Sequence, residues 1–134
     1  MVALLRTSTV VHDFFEKALK PHGLTLQQMN VLRILRGAGP DGLPTLEIAQ
    51  RMVERTPGVT RLIDRLEKKE LVERTRSAAD RRVVFCRATE AGLRLLAELD
   101  EVVDRADHEA VAALSEEELA RLVGLLDRIR AWHR

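Results

Sequence analysis

Aromatic residues are scarce in this chain: Phe14, Phe15, Phe85 and Trp132 are the only ones, and there is no tyrosine. A surface that holds single-stranded nucleic acid by stacking bases on rings needs more of them, so a sheet-based RNA module is not expected. Cysteine is nearly absent as well. Cys86 alone excludes an internal disulfide and any multi-thiolate zinc site, and it suits a reducing, cytosolic setting. No uncharged apolar run approaches the roughly 18 residues of a membrane span. Arg6 interrupts the only apolar stretch that could pass for a signal peptide, so the expectation is a cytoplasmic protein with no membrane partner.

What is present is enough apolar material for one domain of 134 residues with a real core: 46% of the chain is hydrophobic and 32% charged. The net charge of +1 conceals a segregation, with +1 over residues 1–50, +5 over 51–87 and −5 over 88–134. A basic middle between less basic ends has the form of a footprint for a polyanion. By itself, such a bias equally describes a solvated surface.

The apolar positions Val11, Phe14, Phe15 and Ala18 share one helical face until Pro21, predicting a helix from about 3 to 20. Thr25 three residues before Gln28 is a capping box, which starts a second helix at 25 or 26 that runs to Gly37. The segment from Gly37 to Gly42 spells G-x-G-x-x-G. It follows a helix instead of a strand and carries Pro40 where a helix should begin, so it reads as a loop and not as a dinucleotide site.

Ile48, Ala49, Met52 and Val53 mark a short helix from Pro44 to about Glu54. Thr56 and Pro57 then suit the N-cap and first position of another, whose stripe of Val59, Leu62, Ile63 and Leu66 seats it on a core. Its outer face holds Thr60, Arg61, Asp64, Arg65 and Lys68. Two short helices joined tightly, the second basic outside, form a candidate helix-turn-helix. The period then changes to two: Leu71–Arg76 and Val83–Arg87 flank a basic tip of residues 77–82, a hairpin that makes a wing. Cys86 alternates with Phe85 in that hairpin and reads as buried filler. Thr89 caps a long helix from 90 to about 112. Ser115 with Glu118 is a second capping box, opening a last helix from 116 to about 131. The wide apolar faces of the terminal helices exceed what a small winged module can cover, so they are expected to meet the same helices of a second copy.

This order of elements resembles the MarR family of bacterial transcription regulators along essentially the whole chain. The wording is close in LTLQQMNVLRIL at 24–35, TPGVTRLIDRLEKKELVER at 56–74 and DRRVVFCRATEAG at 80–92. The last is similar to the family's Asp-x-Arg wing signature followed by Leu-Thr-x-x-Gly, here Asp80, Arg82, Ala88, Thr89 and Gly92. Ala88 departs from the usual Leu, and Glu70 stands where the family commonly has Gly. A non-glycine residue there costs about 1 kcal/mol if the chain must turn left-handed.

The resemblance implies a mainly α protein with a small β-wing: a single domain over 1–134, with a winged helix-turn-helix at 24–88 and dimerisation helices at 1–20 and 90–134. It implies a homodimer that places a recognition helix of each copy in a major groove and a wing against the adjacent minor groove. Carried over by position, Pro57, Gly58, Thr60 and Arg61 lie at the groove-facing start of the helix, where Arg61 can fork onto guanine. Arg65, one turn on, suits a base edge or a phosphate equally. Arg82 at the wing tip would enter the minor groove, Asp80 would hold it in place, and Arg76 and Arg81 would meet phosphates. Arg61 and Arg65 could instead pair with Asp64 or Glu67 along the helix as solvated ion pairs. A dimer further implies a palindromic operator with half-sites on the order of 10 bp apart.

Regulation is expected to be repression relieved by a small aromatic effector bound between the dimerisation helices and the winged module. His12, Phe15 and Met29 are the candidate lining residues, although a core role suits Phe15 and Met29 better. No cofactor is expected. His12, His22, His108 and His133 lack metal-ligand spacing, and the first helix has no cysteine for peroxide sensing. Two rival functions fit less well. A protein-binding winged helix leaves Arg76, Arg81 and Arg82 without a purpose. An enzyme using Glu116, Glu117 and Glu118 is unnecessary, because acids at a helix start complement its dipole.

Overall fold

The computed structural model describes residues 1–53 and 58–134. Among the described residues, six α-helices and three short strands follow one another: α1 (Val2–Leu19), α2 (Leu26–Ala38), β1 (Leu43–Pro44), α3 (Thr45–Arg51), α4 (Val59–Lys68), β2 (Val72–Arg76), β3 (Val84–Ala88), α5 (Glu90–Ala110) and α6 (Glu116–Trp132). Pro21 ends α1 as expected, within a single 3-10 turn over Lys20–His22.

The caps behave as their residue types dictate. The Thr25 hydroxyl accepts the Gln28 N–H at 3.1 Å while Gln28 Oε1 accepts the Thr25 N–H at 3.1 Å. Ser115 and Glu118 make the same reciprocal pair at 3.2 and 2.8 Å. Thr89 caps α5 by accepting the Gly92 N–H at 3.1 Å. Glu118 titrates below the usual carboxylate range because it accepts the Ser115 N–H.

Two features differ from the sequence reading, and a third lies beyond comparison. α3 stops at Arg51, with Met52 already extended, instead of continuing to about Glu54. The expected Thr56 cap and Pro57 start of α4 lie outside the described residues. The wing gains a third strand that sequence alone did not give: β1 pairs antiparallel with β3, Leu43 opposite Cys86 and Pro44 opposite Phe85. It is two residues long, too short for an alternating pattern. Pro44 is tolerated because the strand lies at the edge of the order β1-β3-β2. β2 and β3 pair from Val72 opposite Ala88 to Arg76 opposite Val84.

The core lies where α2, α4, α5 and the sheet meet. Leu32, Leu35, Ile48, Ile63, Leu66, Val72, Cys86, Leu96 and Leu99 are fully buried in it. Cys86 is filler, its sulfur 3.7 Å from the Thr45 hydroxyl, and burial pushes its thiol pKa up. α1 lies along α5. α6 contributes no buried residue, and Val123, Leu125, Ile129 and Trp132 remain exposed along it.

Candidate nucleic-acid interface

α4 is built to show a charged face. Val59, Leu62, Ile63 and Leu66 point into the core, while Thr60, Arg61, Arg65 and Lys68 are exposed. Gly58 precedes the helix at φ 98, and a Cβ there would meet nothing within 4 Å. Its glycine is called for by the left-handed backbone, not by crowding.

The acids of this helix do not serve its arginines. Asp64 and Glu67 are both taken by Arg74, which reaches across from β2. Arg74 Nε and Nη2 donate to Glu67 Oε2 at 2.9 and 2.7 Å, and Nη2 also donates to Asp64. These bonds, Glu67 first and Asp64 second, raise the Arg74 pKa further. The in-helix pairing that spacing allows for Arg61 and Arg65 is therefore not formed: among the described residues, neither has an ion-pair partner.

The wing tip is tightly turned. Ser77 N–H donates to the Val83 carbonyl at 2.9 Å, and the Ser77 hydroxyl accepts the N–H groups of Ala79 and Asp80 at 3.2 and 3.3 Å. The Asp80 carboxylate accepts the Arg82 N–H at 3.0 Å. Asp80 thus holds Arg82 by its backbone and leaves the guanidinium unengaged, the way Asp commonly fixes a turn. Arg76, Arg81 and Arg82 are exposed.

The chain immediately after α4 carries the departure from glycine. Glu70 stands at φ 59. Its N–H donates to the Glu67 carbonyl at 2.9 Å, and the Leu71 N–H donates to the Leu66 carbonyl at 3.0 Å, closing a Schellman motif with a glutamate in its left-handed position. α5 starts on this turn: Thr89 N–H donates to the Leu71 carbonyl at 3.0 Å and the Thr89 hydroxyl to the Glu70 carbonyl at 2.7 Å.

Of the residues expected to line an effector pocket, Met29 borders a small cleft that His12 and Phe15 do not line. Met29 is buried, at the edge of a cleft of about 140 Å³ with Leu26, Asn30, Arg33 and Met52. Phe15 is half-buried against the core and meets Phe14 edge-on at 6.0 Å. His12 sits 3.9 Å from both Asp13 and Glu16. A larger cleft, about 630 Å³, lies elsewhere, between the end of α1, the start of α2 and the outer face of α4. Sequence reasoning missed it, because its lysines come from segments far apart in the chain. Among the described residues, no group of three His, Cys, Asp or Glu residues is placed to hold a metal, and no helix is long and apolar enough to cross a membrane.

A helix-turn-helix followed by an arginine-tipped wing defines a winged-helix DNA-binding protein. Comparison with known proteins narrows this further. The sequence model of the MarR family matches residues 24–84. The chain is 31% identical over 128 residues to the HTH-type transcriptional regulator MhqR of Bacillus subtilis (strain 168), covering 96% of this chain and 87% of that protein. It is similar in structure to a MarR transcription factor from Planctomyces limnophilus, with 40% identity, a TM-score of 0.76, and coverage of 94% and 91% of the two chains. It is also similar to MepR of S. aureus in complex with DNA, with 28% identity, a TM-score of 0.86, and coverage of 98% and 96%. The chain belongs to the MarR family, whose members are DNA-binding transcriptional regulators and not enzymes.

Proposed function

We propose that the protein is a homodimeric, sequence-specific repressor that binds a palindromic operator in duplex DNA and is released by a small aromatic effector, acting in the cytoplasm. Residues 24–88 are the DNA-binding part, and residues 1–20 and 90–134 join the two copies. The observation that carries the reading is the removal of Asp64 and Glu67 by Arg74, which leaves Arg61 and Arg65 exposed and without acid partners among the described residues. The wing hairpin that follows also leaves Arg76, Arg81 and Arg82 exposed.

In this reading Pro57, Gly58, Thr60 and Arg61 face the major groove, with Arg61 reading base edges and Arg65 a base edge or a phosphate. Arg82 enters the minor groove, Asp80 fixes the turn that presents it, and Arg76 and Arg81 contact phosphates. The exposed apolar side chains of α6, together with Val2, Leu5 and Val10 of α1, supply the surface that a second copy would cover. The effector would act at the junction of α1 and α2 around His12, Phe15 and Met29, and it can release DNA only by preferring one spacing of the recognition helices.

Sequencing the DNA retained by the purified protein identifies the operator, and sedimentation gives the state of assembly. On that operator, in fluorescence anisotropy, Arg61→Ala is expected to lose roughly 1 to 3 kcal/mol of affinity and relax sequence preference. Arg82→Ala is expected to weaken binding and flatten its salt dependence. A monomer that ignores duplex DNA in dilute buffer overturns the proposal.

A further inference from the structure

The cleft beside α4 gathers cations from separate parts of the chain: Lys17 and Lys20 from the end of α1 and the turn after it, and Arg65 and Lys68 from α4. All four are exposed, and among the described residues none has an ion-pair partner. Lys69, also at the cleft, is already committed to the Gly23 carbonyl. The one acid lining it among the described residues, Glu16, is turned to the start of α2, where its carboxylate accepts the Leu26 N–H at 2.8 Å.

We propose that this cleft receives the phosphodiester backbone of the bound duplex outside the groove that the start of α4 reads. The ends of α1 and α4 then close on one strand like two jaws. The inference rests on the proposed DNA-binding function and extends its footprint to α1, a helix otherwise assigned to dimerisation.

Continuity supports it. Arg61, Arg65 and Lys68 recur at i, i+4 and i+7, so a single stripe of α4 runs from its groove-facing turn into the cleft. The chemistry of the lining agrees. Four lysines and one arginine line the cleft, and among the described residues no aromatic side chain takes part. A lysine ammonium is a mobile point charge, suited to a phosphate and poor at discriminating a base. The amides of Leu26 and Gln28 at the start of α2 are not the donors, because Leu26 N–H is held by Glu16 and Gln28 N–H by Thr25.

The test is the double variant Lys17→Gln/Lys20→Gln in the full chain, with Lys68→Gln as an independent probe from the opposite jaw. Anisotropy titrations over a series of KCl concentrations would use the operator duplex and a scrambled duplex. The slope of log K against log salt should become shallower by about 0.9 for each phosphate that is no longer neutralised. Both duplexes should weaken by the same factor, so that their affinity ratio is kept. An unaltered slope in variants that melt like the parent overturns the proposal, provided the parent binds the duplex. So does unaltered duplex binding accompanied by inorganic phosphate raising the melting temperature of the parent but not of the double variant, which would mark a small-anion site. A parent that binds no duplex at all removes the DNA-binding function, and this inference with it.

Discussion

Arg74 holds Glu67 through two nitrogens, at 2.7 and 2.9 Å, and thereby ties the first strand of the wing hairpin to the recognition helix. The same guanidinium takes Asp64. One residue of the wing thus both ties β2 to α4 and takes up the acids that would otherwise stand beside Arg61 and Arg65.

Replacing Arg74 with Met keeps the apolar stem and frees both acids. Stability is expected to fall by about 1 kcal/mol in urea denaturation, a modest figure because the acids are partly exposed to screening. Duplex affinity should fall as well, since two carboxylates return to the helix that faces the phosphates. Unchanged affinity in anisotropy titration would refute the neutralising role.

Glu70 occupies a left-handed position at φ 59 that favours glycine. Glu70→Gly relieves the clash of Cβ with its own backbone while keeping both hydrogen bonds of the Schellman motif. The variant is expected to be more stable by about 1 kcal/mol, read from its urea midpoint at unchanged slope.

Gly92 is constrained for the opposite reason. A Cβ added there would stand 2.2 Å from the Leu71 carbonyl oxygen, a backbone atom that cannot rotate away. Gly92→Ala should destabilise the protein by roughly 1 to 3 kcal/mol by forcing α5 off the turn after α4. A thermal melt matching the parent would show that α5 is not seated so closely.

Asp100 on α5 accepts two hydrogen bonds from Arg36 on α2, at 2.8 and 3.2 Å, and these hold its carboxyl below the usual range. A carboxyl depressed in the folded state contributes stability that is present above its ordinary pKa and disappears as pH falls through the folded value. The melting temperature of Asp100→Asn should therefore trail that of the parent at neutral pH and converge on it in acid. A gap of constant size at all pH values would refute the assignment.

Local rules made much of the fold legible. Thr25 with Gln28 and Ser115 with Glu118 declare their helix starts within four residues, and the α4 stripe declares its buried face. Pro44 hid β1, because a two-residue strand has no period to read. The Arg74 bridge was equally hidden. Spacing along a helix suggests that Asp64 and Glu67 serve Arg61 and Arg65, and only the packing of β2 against α4 brings a stronger competitor within reach. The cationic cleft is a third case: Lys17 and Lys68 become neighbours only after the chain has folded.

The mooring of α5 on Glu70 and Leu71 has a mechanical consequence. This helix has 21 residues, which makes it on the order of 30 Å long. Its first turn is tied to the turn that follows α4, so a swing of about 10° there would carry its far end by about 5 Å. Taken in reverse, a broad displacement at the far end would reach α4 as a slight change of heading, as a long tiller turns a rudder.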